Sequence, residues 1–168
     1  GGDNMFVYSY AHESGLTGTV TYVNAADAVT DVSSTSYGIE YTGMEGLTVG
    51  YAQQDVEVTT NTEGDESTMY AKYAIGGITV GIQLSENDME SGTDYESTGI
   101  GISYQVNDDL TVSYGSHEIE AVGSGNPDQE TAALGVSYTM GSRSMGAAGQ
   151  DGENITTSKT EANQREIH

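Results

Sequence analysis

The carboxylates are the residues of this chain with the most evident capacity for chemistry. The stretches NTEGDES (61–67) and SENDMESGTD (85–94) crowd acidic oxygens closely enough to meet a hard cation such as Ca²⁺ or Mg²⁺. Neither follows the EF-hand spacing or a nonapeptide calcium repeat, so weak divalent binding and plain solvated charge both fit them. No cofactor and no resident metal are implied. His12, His117 and His168 stand in a turn shoulder, a loop shoulder and the C-terminal tail. None has a partner nucleophile or ligand spacing, and all three read as solvated surface groups. GIGIS (99–103) is strand glycine with no helix after it to cradle a phosphate. NIT at Asn154 fits a glycosylation sequon, and Pro127 in NPDQE belongs to a turn leading into a strand. No catalytic constellation emerges, and an enzyme is the class the sequence supports least.

Charge excludes more. There are 26 acidic residues against Lys72, Arg143, Lys159 and Arg165, for a formal net charge of −22. Nucleic-acid affinity rests on cationic contacts with phosphates, and so does docking on an anionic lipid surface. Both are unsuited to this chain. Cysteine is absent, so there is neither a disulfide framework nor a thiolate site. No apolar run approaches the roughly 18 residues of a membrane-crossing helix. The opening GGDNMFVYSY lacks the basic start and apolar segment of a signal peptide.

The elements that must position these residues are strands. Apolar residues recur at every second position, bounded by Gly, Asn, Asp and Ser, which predicts ten strands near 4–12, 16–24, 35–43, 46–55, 67–75, 77–86, 95–105, 109–119, 130–140 and 143–149. No helical period and no linker appear, so residues 1–168 read as a single domain. Short turns (HESG, GMEG, IGG, NDD, MGS) alternate with long loops at 25–34, 55–66, 87–94 and 120–129 and with the segment after 150. That order predicts an antiparallel up-and-down meander with short turns at one end and long loops at the other. Most carboxylates fall at the loop end, and Asp55, Glu57, Glu63, Asp65, Glu66, Glu86, Asp88, Glu90 and Asp94 are expected to form an acidic mouth there.

The two faces of each strand differ in kind. In STGIGISYQVNDDLTVSYGSHE (97–118), Ile100, Ile102, Tyr104 and Val106 alternate with Gly, Ser and Gln, and Leu110, Val112 and Tyr114 resume the count. A soluble barrel of ten or more strands with these residues inside would be hard to fill, since width grows with strand number and large aromatics are scarce. Reversed, apolar side chains meet lipid and small polar ones line water. Strands of about ten residues, tilted, are long enough to cross a bilayer. Tyr10, Tyr41, Tyr73, Tyr104 and Tyr138 each precede a short turn on the apolar face, an expected aromatic girdle at a wet boundary. Arg143 takes an outward place beside a short turn, where its stem can snorkel. Glu40, Lys72, Gln83, Gln105 and Thr111 fall on the polar face and are expected to line the pore. The alternative is a secreted or surface β-sandwich, adhesive or calcium-dependent, with the apolar faces packed inward. A small barrel complete at about ten strands is a third reading.

The first hairpin, DNMFVYSYAHESGLTGTVTYV, resembles a stretch of the trimeric, sixteen-stranded general porins of Gram-negative bacteria. Asn4, Tyr8, Gly15, Leu16 and Tyr22 match its frame, and YGIEYTGMEGLTVGYAQ and LGVSYTMGSRSMGAAGQ resemble later hairpins of that family. The resemblance implies a transmembrane β-barrel in the bacterial outer membrane, passive diffusion of small hydrophilic solutes, contact with lipid and lipopolysaccharide, and a homotrimer. It also places the chain from the sixth strand onward, with EANQREIH (161–168) opening the eleventh strand of that stretch, so a fragment incomplete at both ends is expected. Val7 and Ala11 stand where the family often has a basic residue and a proline. Without that base, and with acidic loops, a preference for cations is expected. Divalent ions bridging the acidic rim to lipopolysaccharide phosphates would fit the same reading.

Overall fold

The computed structural model describes residues 4–24, 33–57, 64–90, 92–123, 127–140 and 143–153. Within them the chain forms ten strands: β1 (Asn4–Ala11), β2 (Leu16–Asn24), β3 (Ser33–Tyr41), β4 (Leu47–Glu57), β5 (Gly64–Ile75), β6 (Ile78–Met89), β7 (Tyr95–Gln105), β8 (Leu110–Ala121), β9 (Gln129–Met140) and β10 (Arg143–Glu153). They make one sheet in sequence order, every neighbour antiparallel. This is the predicted meander. A sandwich needs a second layer to cover the apolar faces, and the described strands supply none. That alternative is overturned.

Turn chemistry explains the tight end. Ile75 pairs with Ile78 across a two-residue turn whose first central residue, Gly76, has φ 58°. A positive φ there matches the right-handed twist of the flanking strands and suits glycine. At the next tight turn the Asn107 side-chain oxygen accepts the backbone N–H groups of Asp109 and Leu110, both at 2.9 Å, as a short polar side chain does when it replaces a ladder partner.

The other end departs from the sequence expectation. Residues 55–57, 64–66, 87–89, 120–121 and 151–153, read as loop, continue the ladders. Asp55 pairs with Asp65 and Asp65 with Asp88; Glu86 pairs with Glu96 and Glu96 with Glu120. Backbone pairing carries on past the point where side-chain alternation stops being visible, because both faces there are polar.

Face assignment follows from exposure. Ile100, Ile102 and Tyr104 are 55%, 46% and 50% exposed, while Gly101 and Ser103 between them are half-buried. No hydrophobic side chain is buried among the described residues. Large apolar groups more exposed than the small polar groups between them is the pattern of a sheet curled toward its polar face.

Candidate functional site

The polar face is the side on which function can be built. Its backbone register runs one cross-strand row through Thr17, Glu40, Gly50, Tyr70, Gln83, Gly99, His117 and Thr131. Two broad hollows lie on this face. One, of about 460 Å³, is lined by Lys72, Gly81, Gln83, Gly99, Gly101 and His117 among others. Its breadth comes from glycine: Lys72, Gly81, Gly101 and Gly115 are successive partners across β5 to β8, so backbone floors it. The other, of about 750 Å³, lies toward the loop end and includes Gln54, Glu66, Thr68, Asn87 and Tyr95. There Asn87 donates from Nδ2 to Glu66 Oε1 at 2.8 Å, tying two polar-face side chains together.

The expected pore-lining residues are distributed over this face. Lys72 and Gln83 share the smaller hollow, and Gln83 also borders the larger one. Glu40 lies on β3, half-buried, and accepts a hydrogen bond from the Tyr70 hydroxyl. Gln105 and Thr111 are direct partners beside the 106–109 turn, away from both hollows. Two residues of this face escaped the sequence reading. Tyr70 occupies an even position of β5 between outward Met69 and Ala71, opposite a glycine, and that parity was the available signal. His117, expected as a solvated group near the loop end of the strand over 109–119, has its ring over Gly99, its Cδ2 3.5 Å from where a Cβ would sit. It too lines the smaller hollow.

The acidic mouth needs a correction of direction. Counting from the apolar residues of each strand, Asp55, Glu57, Asp65, Glu86 and Asp88 take the apolar, outward face, and of the strand-borne residues expected there only Glu66 turns inward. Rows of like charge result on the outer surface: Asp55–Asp65–Asp88, Glu86–Glu96–Glu120 and Glu118–Glu130–Glu153. In the part of β5 that projects beyond the apolar band, the Asp65 carboxyl is held above its ordinary value, chiefly by its hydrogen bond with Asp55 and then by that neighbour's charge. Glu90 is exposed, and Asp94 accepts the Met89 backbone N–H at 2.9 Å. Glu63, Asn154 and His168 lie outside the described residues, as does the side chain of Arg143.

On the outward face, Tyr41, Tyr73, Tyr104 and Tyr138 stand near the tight turns, and Tyr10 does the same on β1. A second set sits nearer the loop end. Tyr22 donates to Asn24 at 3.2 Å and Tyr51 to Gln53 at 2.9 Å, so each hydroxyl points toward that end while its ring covers apolar surface.

Against known proteins, residues 1–154 match the Gram-negative porin family. The chain belongs to that family. A porin's place is the outer membrane, and the inverted faces suit that solvent. No curated protein sequence matches the chain. Among solved structures, a refined porin superposes with TM-score 0.77 at 13% identity, covering 93% of this chain and 58% of its own. An anion-selective porin from Comamonas acidovorans gives 0.74 at 18% identity, covering 92% and 50%. A loop-deletion form of OmpT, an outer membrane protein of Vibrio cholerae, gives 0.71 at 18% identity, covering 89% and 57%. The chain therefore spans little more than half the length of the porins it resembles, and the ten-stranded meander is porin-type β-barrel wall.

Proposed function

We propose that this porin chain forms most of the wall of a passive outer-membrane channel for small hydrophilic solutes and ions, and that the channel prefers cations. One observation carries the channel reading: across β2 to β9, alternate residues divide into an apolar face and a polar face, and two broad hollows lie on the polar one. Lipid solvates the first and water the second. Selection then follows from pore width and field, with no side chain performing chemistry. Among the described residues the outer edges of β1 and β10 have no strand beside them, and further strands of the same barrel would close them, since a bilayer tolerates no open edge.

Cation preference is supported by the balance of charge. On the polar face of the described strands the charged residues are Glu40, Glu66 and Lys72, two acids against one base. The outward rows add a negative field at the loop end, felt over a Debye length of about 8 Å at physiological salt. Those rows also suit divalent ions that bridge to lipopolysaccharide phosphates, and the outward apolar surface suits a homotrimer. Planar-bilayer conductance of the full-length protein, with the reversal potential read across a KCl gradient, tests the proposal. Stepwise conductance with potassium favoured is expected. Steps favouring chloride, as in the anion-selective neighbour, would retain the channel and overturn the charge argument. Failure to insert would overturn the channel itself.

A further inference from the structure

Tyr70 lines the edge of the smaller hollow and turns its hydroxyl to Glu40, which borders neither hollow. They stand on β5 and β3, with β4 between them, and meet across Gly50. The Tyr70 hydroxyl donates to Glu40 Oε2. The ring can take this path only because residue 50 lacks a side chain: a Cβ there would lie 2.5 Å from two ring carbons and 2.7 Å from the hydroxyl oxygen. Both side chains are half-buried, whereas Lys72, two residues further along β5 on the same face, is exposed. Strands are about 4.8 Å apart, so a tyrosine and a glutamate that meet over an intervening strand must both lie flat along the wall.

We infer that Tyr70 is a positioning residue for ion selectivity: by strapping the Glu40 carboxylate to the wall over Gly50, it holds a fixed negative charge at the lumen surface and keeps that charge out of the path of permeating ions. The inference rests on the channel reading above. A carboxylate that already accepts a phenol hydrogen bond has one oxygen engaged and offers less to a passing cation. A carboxylate freed from the wall reaches further into the lumen and binds cations more closely. Tyr70 acts through Glu40.

The test is a double-mutant cycle on reversal potential, using the full-length protein in planar bilayers with E40Q, Y70F and the double variant. Y70F alone is expected to raise the potassium-to-chloride permeability ratio by about twofold, the lower end of coupling between residues in contact. E40Q lowers the ratio, and in the E40Q background Y70F leaves it unchanged. A structural effect of Tyr70 would shift both backgrounds alike and overturns the inference, as does a fall in the ratio with Y70F. G50A provides a second variant. Its Cβ displaces the ring from the wall, so the ratio rises as with Y70F while single-channel conductance drops; unchanged selectivity in G50A overturns the strap. A parent channel that prefers chloride refutes the cation proposal alone, because the cycle still reports whether Tyr70 works through Glu40.

Discussion

Replacing Ile100 by arginine tests which face of the wall meets lipid. Ile100 lies on the outward face of β7, four residues from Tyr104 at the tight-turn end and four from Glu96 in the acidic row. At about 3.3 Å per residue that is roughly 13 Å of strand on either side. With a strand tilt near 40°, the guanidinium would sit about 10 Å inside either boundary, at the middle of the apolar band. An arginine at such depth costs about 2–4 kcal/mol in a transmembrane barrel, a shift of roughly 30- to 1,000-fold in the folding equilibrium. Ser103 is the matched control. It faces the polar side between Thr79 and Ser113, where Ser103→Arg meets water and changes stability by less than about 0.5 kcal/mol. The assay is reversible denaturant unfolding from lipid vesicles followed by circular dichroism, since the chain has no tryptophan to report. Ser103→Arg more damaging than Ile100→Arg would refute the inverted assignment and every lumen argument built on it.

Three further outcomes are expected. Gly76→Val forces a β-branched residue into φ 58° with nothing within 4 Å to clash, so its cost is conformational, about 1–2 kcal/mol, whereas Gly76→Asn is tolerated; equal stability of the two by denaturant unfolding would contradict the turn assignment. Asn107→Ala leaves the Asp109 amide to water, while the Leu110 amide keeps the Asn107 backbone carbonyl at 3.3 Å, and lowers stability by about 0.5–1 kcal/mol, read in the same assay. The raised Asp65 carboxyl gives a pH dependence of definite sign: a carboxyl whose folded-state value exceeds its unfolded value stabilises the fold at low pH and loses that contribution as pH rises through the folded value. Amide exchange in 53–56 and 64–67, corrected for intrinsic rates, should therefore slow as pH falls from neutral into the carboxylate range, and Asp65→Asn should abolish the trend. Exchange that quickens on acidification would show that the Asp55–Asp65 contact is not formed.

How much of this was legible beforehand depends on which interactions are local. Alternation of Ile100, Ile102 and Tyr104 with glycine and serine carries strand identity and face polarity in neighbouring residues, and Gly76 and Asn107 carry their turns in two or three more. The meander followed from the order of short and long connections. Strand ends did not follow, because alternation is silent where both faces are polar, as at Asp55–Glu57 and Gly64–Glu66; there, only inter-strand pairing shows that the ladder continues. The same register turned Asp65 and Asp88 outward, although composition alone pointed them at the mouth.

The sequence by itself determined the strands, their tight turns, the inversion of polar and apolar faces and the excess of acid at one end. Each of these is written in residues a few positions apart and needs no partner to be read. Tertiary structure decided the meeting of Tyr70 with Glu40, the seat of His117 over Gly99 and the like-charge rows outside the wall. Those depend on which residue stands opposite which across two or three strands. A slip of one position would send every side chain to the other face, and no single strand contains the information that forbids it.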